Sequence, residues 1–552
     1  MKQYTDLEYL KLSKPERFAN KFSRFFFGIP RALLKALKAI GRFFAKIGKA
    51  IANVFLKIGR TFARGDWKTR VSYFVMGFGN LARGQLLRGL LFLLFEIVFI
   101  GYIAIWGWKW LAQIGSLGTL GPEEVYDEIY DTYITIYHDN SFKILLYAVL
   151  TIFFIVGFIV TWYFNIEQNR IAEEIIGSSQ RKALKNACKK ELKAASDDVA
   201  REEIRARYKA EIEAVPVKKL KSGKDDLRSL VDDQFHKTLL ALPLIGILIF
   251  TVMPIVFMVL VAFTNYDGAH NGYSNNLFHW VGWDNFNTML NWQTGNKAYS
   301  AAFGEILAWT LMWSLFATFT CYFLGMFVAI MINKKGIKLK KVWRTILVLT
   351  IAIPQFISLI YVSKLFSDKG IVLTYLQKWF HVPESFSFFG PNATAYPWVT
   401  RITVVVINIW IGIPYLMLIA TGILMNIPED LYESAKIDGA SVWQQYIKIT
   451  LPYMIFITGP YLLTSFIGNM NNFNVIYLLT GGAPTNGAAS GAAGSVGYTD
   501  LLITWLFKIT TGAESQYYMA SVIGIMIFVV TAFIAMIVYN VMPSTKNEED
   551  YQ

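Results

Sequence analysis

Long apolar runs at about 86–111, 143–165, 237–263, 303–332, 345–366, 399–424, 453–478 and 518–541 alternate with polar segments along the chain. Each is long enough to cross a bilayer as a helix, for which about 20 residues suffice. Lipid offers no partners to backbone N–H and C=O groups, so a spanning segment must satisfy them internally. The pattern therefore predicts an all-α polytopic membrane protein with about eight transmembrane helices. A shorter apolar stretch, Tyr498 to Ile509, cannot cross alone and is expected as a re-entrant or surface helix.

Two polar regions carry helical patterning of their own. Near the N-terminus, Lys and Arg recur at 31, 35, 38, 42, 46, 49, 57, 60 and 64, while Leu34, Leu37, Phe44, Ile47, Ile51, Phe55, Ile58 and Phe62 fill the opposite side. No acid lies between Glu16 and Asp66, so this amphipathic helix is expected to lie on anionic membrane lipids. The segment 166–236 is rich in Lys, Arg, Glu and Asp and reads as a charged helical hairpin or partly disordered insert. The expected organisation is a basic N-terminal region (1–85), two spans (86–165), the insert (166–236), a six-span core (237–541) containing a polar elbow at 427–452, and a tail (542–552).

Charge gives this arrangement a direction. The loop holding Glu123, Glu124, Asp127, Glu128 and Asp131 has no Lys or Arg, whereas Lys334, Lys335, Lys338, Lys340, Lys341 and Arg344 crowd another. Cytoplasmic loops are enriched in Lys and Arg, so the first loop is expected outside, the second inside, and both termini in the cytoplasm. The Gly-rich stretch 481–497 then falls outside. A composition of 54% hydrophobic and 17% charged residues excludes a soluble protein, and the net charge of +14 is assigned to anionic lipid, with no nucleic acid expected. Cys188 and Cys321 cannot form a disulfide framework, and five scattered His residues lack metal-ligand spacing, so no metal site and no catalytic residue are expected. Glu96 and Glu305 are the notable acids in or beside spans. Either would be needed by a rival class, a membrane enzyme or an ion-coupled carrier, but neither has an evident partner in the sequence.

The elbow reads IPEDLYESAKIDGASVWQQYIKITLP from Ile427 to Pro452. Pro428 suits a first helical position, Glu429 and Asp430 favour the positive end of the helix dipole, and Asp438-Gly439 stops the helix. Ser441 can cap a second helix through Thr450, which Leu451-Pro452 is expected to close. An ordinary amphipathic connection would look much the same. The residues Glu433-Ser434-Ala435, Asp438-Gly439-Ala440, Tyr446, Ile449, Leu451 and Pro452, however, resemble at every spacing the EAA motif of permease subunits in bacterial ABC importers. Ser434 and Tyr446 replace the usual alanine and phenylalanine. The resemblance implies a permease fold in which Glu433, Ser434, Ala435, Asp438, Gly439 and Ala440 form a coupling helix docked on a cytoplasmic ATPase.

Two spans carry polar residues that lipid would reject. Asn408, Ile411, Gly412 and Tyr415 share one helix face, and Ser465, Asn469 and Asn472 repeat that spacing. Buried amides can bind neighbouring helices together, or they can line a sugar site with aromatic rings covering the apolar C–H faces. NIWIGIPYLM (Asn408 to Met417), SFIGNMNNFN (Ser465 to Asn474) and GYTDLL (Gly497 to Leu502) resemble stretches of MalF-type maltose/maltodextrin permeases. By that resemblance the seven residues line the sugar path, with Gly468 standing where an aromatic is expected. It further implies a second, non-identical permease subunit, an ABC ATPase dimer that binds ATP and Mg, an extracellular lipid-anchored solute-binding protein, and maltose or maltodextrin as cargo. The chain itself has no GxxxxGK[ST] phosphate loop and no cofactor of its own is expected.

Overall fold

The computed structural model describes residues 13–541 apart from 195–197, parts of 216–233, 272–275, 292–296, 335 and 492. The expected tail at 542–552 lies outside the described residues. Contacts divide the chain into two units: Gly41–Leu260 with His270–Trp280, and Val261–Ala269 with Val281–Gln552 and Met1–Ile40.

Helix α1 (Lys14–Arg64) is 51 residues long. Its Phe43, Phe44, Ile51, Phe55 and Leu56 are exposed. In the first unit, α2 (Leu86–Gln113) and α3 (Ser141–Ile176) are long and apolar enough to span. Residues 66–85 are held against them by buried polar contacts. Arg83 donates to Asp66 and Thr69, each at 2.7 Å, and to the Asn169 amide oxygen at 2.7 Å. Glu96 accepts from the Met76 amide at 2.8 Å, so this intramembrane acid is a structural acceptor and not an isolated one. Within the charged insert, helices Ser178–Ala194 and Asp198–Ala214 pack together, with Glu191 accepting from Arg207 at 2.5 Å and from the Tyr208 hydroxyl at 2.7 Å. Helix α4 (Phe235–Val261) completes the spans of this part of the chain.

The second unit is organised around α5 (Lys297–Asn333). Phe303 and Ile306 enter a core around Trp505, Trp309, Trp313 and Ala317 enter one around Leu359 and Val404, and Cys321, Met326 and Ala329 enter a third with Met417 and Met454. One helix thus threads three successive cores. The stretch expected as a single fifth span is instead two helices, α6 (Lys340–Ala352) and α7 (Gln355–Leu365), bent by 90°. Pro354 lies in the break; it has no N–H to give and keeps Ile353 out of the α region, where the backbone is extended at ψ 126°. Among the described residues there are seven uninterrupted spans, or eight if the bent pair counts as one.

Helix α8 (Pro397–Leu424) leads through α9 (Glu429–Ile437) into α10 (Val442–Met470). Here the sequence expectation of a break at Leu451-Pro452 fails. The helix is continuous because Tyr446–Thr450 widens into a π turn just before Pro452, which relieves the clash of the ring with the preceding turn. The seventh span also ends earlier than expected. It stops at Met470, and Asn472 caps a separate helix, α11 (Phe473–Leu479), by accepting from the Val475 amide at 3.3 Å. Ser465, Asn469 and Asn472 therefore do not share one unbroken helical face. From the Gly-rich stretch 481–497, Ala489, Ala493 and Val496 join the Trp505 core with α12 (Leu502–Thr511) and α13 (Tyr517–Val541).

Candidate functional site

The elbow is built as two capped helical pieces tied to one another. Glu429 and Asp430 open α9, and Gly439 takes the left-handed conformation at φ 77°, where a side chain would be strained. Ser441 then forms a reciprocal capping box: its hydroxyl accepts from the Gln444 amide at 3.3 Å while the Gln444 side chain accepts from the Ser441 amide at 2.8 Å. Tyr432 and Thr450 hydroxyls meet at 2.8 Å, Gln445 donates to the Ala440 carbonyl at 2.9 Å, and Trp443 stacks on Tyr446 at 5.5 Å. These links fix α9 against the base of α10. They leave Ile437 (87% exposed) and Val442 (84% exposed) pointing outward beside exposed Glu433, Ser434, Asp438 and Gly439, with Ala435 and Ala440 half-buried. The elbow is thus a capped polar frame carrying two bare apolar side chains at its tip.

The seven residues expected along a sugar path fall into two environments. Asn408 is buried with its amide 3.7 Å from the Cys321 sulfur, and a Cβ on Gly412 would come within 2.8 Å of that same sulfur. Gly325 approaches Leu416 equally closely, so this face of α8 is a tight helix crossing with α5, and Ile411 packs into the adjoining core. Asn469 is likewise committed: it donates to Thr318 at 2.9 Å, its carbonyl accepts from the Trp313 indole at 3.1 Å, and its amide oxygen accepts from Asn472 at 3.3 Å.

Tyr415 and Ser465 differ. Tyr415 is 52% exposed and its ring faces Tyr461 across α8 and α10 at 6.5 Å. Ser465 lies one turn beyond Tyr461, and Gly468 one turn further has nothing within 4 Å of where a Cβ would stand. The open face is therefore centred on Tyr415 and Gly468, with half-buried Tyr461, Ser465 and Asn469 beside them. Sequence reasoning omitted Tyr461, although its i, i+4 relation to Ser465 marked it.

It also omitted Arg401. This residue in α8 lies over the rings of Trp309 at 4.7 Å and Trp398 at 4.9 Å, and its Nε donates to the Tyr498 carbonyl at 2.8 Å. Glu305 is 3.8 Å from the guanidinium and accepts from Asn486 at 2.7 Å, which supplies the partner that the sequence did not show. An Arg inside an apolar run was itself the available sign. Beneath the same loop, Asp500 accepts from the Gly497 amide and from Lys508, each at 2.7 Å, and from Thr504 at 2.9 Å. Burial pushes its carboxyl above the usual carboxylate range, against the opposing pull of Lys508.

Residues 321–546 match the family of binding-protein-dependent transport system inner membrane components. The chain is 28% identical to the maltodextrin transport system permease protein MalC of Streptococcus pneumoniae, over 86% of this chain and 95% of that one. It is 30% identical to the maltodextrin transport system permease protein MdxF of Bacillus subtilis over the same shares. With the galactooligosaccharides transport system permease protein GanP of Bacillus subtilis the identity is 36%, over 60% of this chain and 75% of that one. The family match at 321–546 includes the elbow, Tyr415 and Tyr461, and the chain belongs to the carbohydrate permeases of ABC-type importers, a non-enzymatic membrane subunit of a binding-protein-dependent transport system.

Proposed function

We propose that this permease carries linear neutral oligosaccharides of the maltodextrin class along the face formed by Tyr415, Tyr461, Ser465 and Gly468. The observation that carries the reading is that face itself: the half-exposed Tyr415 ring meets Tyr461 across α8 and α10, and open space stands at Gly468 one turn beyond Ser465. Aromatic rings cover the apolar faces of sugars while hydroxyls and amides meet their edges. Asn408, Gly412, Asn469 and Asn472 act one layer back, holding α5, α8 and α10 at the spacing that keeps the face open. The elbow, with Glu433 to Ala440, docks on a separate ATPase that binds ATP and Mg. Closure of the ATPase moves α8 and α10 together, because the elbow is bonded to the base of α10. A second permease subunit supplies the other wall of the path, an extracellular lipid-anchored binding protein delivers the sugar, and both termini of the chain are cytoplasmic. Similarity to GanP supports a second reading, galacto-oligosaccharides, which the same open face would accept.

The test is uptake in a strain lacking only this chain, complemented with it, using labelled maltodextrins and labelled galacto-oligosaccharides side by side. Maltodextrin uptake restored by the chain supports the first reading, galacto-oligosaccharide uptake alone supports the second, and restoration of neither overturns both.

A further inference from the structure

Beyond Asn472 in the chain, α11 borders a cleft that the proposed sugar path does not use. Helix α10 is 29 residues long, about 43 Å at 1.5 Å per residue, so its Met470 end lies on the opposite side of the membrane from the elbow. There, Phe473 stacks on Tyr477 at 4.7 Å, and Phe507 meets both rings edge-on at 5.0 and 5.2 Å. Tyr477 and Phe507 form one wall of a cleft of about 630 Å³, whose other lining includes Thr485, Ser495, Thr511 and Glu514. Gly491 and Gly494 add exposed backbone to it.

The cleft is built rigidly. Asp500 is buried and binds Gly497, Thr504 and Lys508, and a Cβ on Gly482 would stand 2.1 Å from the Asp500 carboxylate. A Cβ on Gly497 would collide with the Gly482 carbonyl at 1.9 Å. The glycines are there because two strands of the loop and a carboxylate pass too close for side chains, and the result is a fixed hollow facing an aromatic wall. Its volume falls in the range of small-ligand sites. Rings on one side and hydroxyl, carboxylate and backbone groups on the other are the chemistry that grips a sugar ring.

We propose that the Tyr477–Phe507 cleft is an outer subsite that holds the trailing sugar units of a linear oligosaccharide while its leading end occupies the Tyr415–Tyr461 face. This rests on the maltodextrin reading above, and it adds a specific consequence: the cleft contributes to chains long enough to reach both sites and little to a disaccharide.

The experiment uses the full transporter, with its second permease, ATPase and binding protein, and two probes, maltose and maltoheptaose. Tyr477→Ala is expected to raise the KM for maltoheptaose about fivefold more than that for maltose, the loss of roughly one ring contact. Tyr477→Trp, which restores a flat face, is expected to recover most of that loss. Co-purification of the four components checks that each variant assembles, and Tyr477→Leu serves if the alanine variant does not. Equal effects on both sugars, no effect on either, or a length-independent loss of binding-protein affinity would overturn the subsite while leaving the maltodextrin reading intact. An unaltered transporter that moves neither sugar overturns the maltodextrin reading and the subsite with it.

Discussion

Asn469 and Tyr415 are both polar side chains at membrane depth, yet their surroundings give them different consequences. The Asn469 side chain is bonded to Thr318 and Asn472 and its carbonyl to Trp313, whereas Tyr415 presents half of its surface outward. Asn469→Ala should therefore lower the stability of the assembled complex by about 1–3 kcal/mol, the cost of leaving buried partners unmade. Tyr415→Ala should assemble normally and reduce transport by about tenfold. Thermal unfolding of the purified complex, read beside uptake, separates the two; matching melting temperatures with normal uptake by Tyr415→Ala would remove both roles. Gly412 offers a sharper case. A methyl group there meets the Cys321 sulfur at 2.8 Å, so Gly412→Ala should destabilise the α5–α8 crossing by about 1–3 kcal/mol. Adding Cys321→Ala should recover most of it, and a double-mutant cycle with no coupling would show that the two residues do not meet.

At the scale of elements, the elbow and α1 both carry exposed apolar side chains on otherwise polar surfaces. Ile437 is almost wholly exposed on the rigid elbow, so replacing it leaves the fold alone and alters only what docks there. Ile437→Asp is expected to leave the melting temperature unchanged while co-purification of the ATPase and sugar-stimulated ATP hydrolysis fall by at least about tenfold, the cost of burying an unpaired charge at an interface. Retained ATPase binding by this variant would take the elbow out of the coupling route. Gly439 belongs to the same argument: its φ of 77° is closed to proline, so Gly439→Pro should unseat α9 and uncouple transport from hydrolysis. For α1, charge reversal of Lys38, Arg42, Lys46 and Lys49 to Glu should weaken binding of the peptide 14–64 to anionic vesicles by about 1 kcal/mol per charge. Binding that ignores salt and anionic lipid content would contradict an interfacial role.

The whole molecule carries its own topological reporter, because its two cysteines differ in access. Cys188 lies half-buried in the helical insert and Cys321 is buried in the bundle, where the surrounding apolar side chains keep reagents away. With the insert in the cytoplasm, a membrane-impermeant maleimide should leave intact cells unlabelled and should label inside-out vesicles at one site, abolished by Cys188→Ser. Labelling of intact cells at Cys188 would reverse the orientation of the chain and with it the side on which the elbow stands.

The amino-acid sequence by itself determined the class, most of the span positions, the amphipathic α1 and the capped, glycine-hinged elbow. All of these are local properties: the length of an apolar run, a 3.6-residue period, a capping Ser441, and a left-handed Gly439. It also identified the two polar helix faces, since an amide in an apolar run is visible without a structure. What only the tertiary structure decided was which polar residues are free to meet a ligand. Asn408 and Gly412 lie on the same helical face as Tyr415, but α5 closes over the first two through Cys321, whereas Tyr415 stays half exposed. The break after Met470, the π turn before Pro452 and the right-angle bend at Pro354 also appear only in the structure. Arg401 and Glu305 come together from helices 96 residues apart in sequence (401 − 305), a pairing that no local pattern encodes. Periodicity assigns a residue to a face; only the neighbouring helix determines whether that face is filled or open.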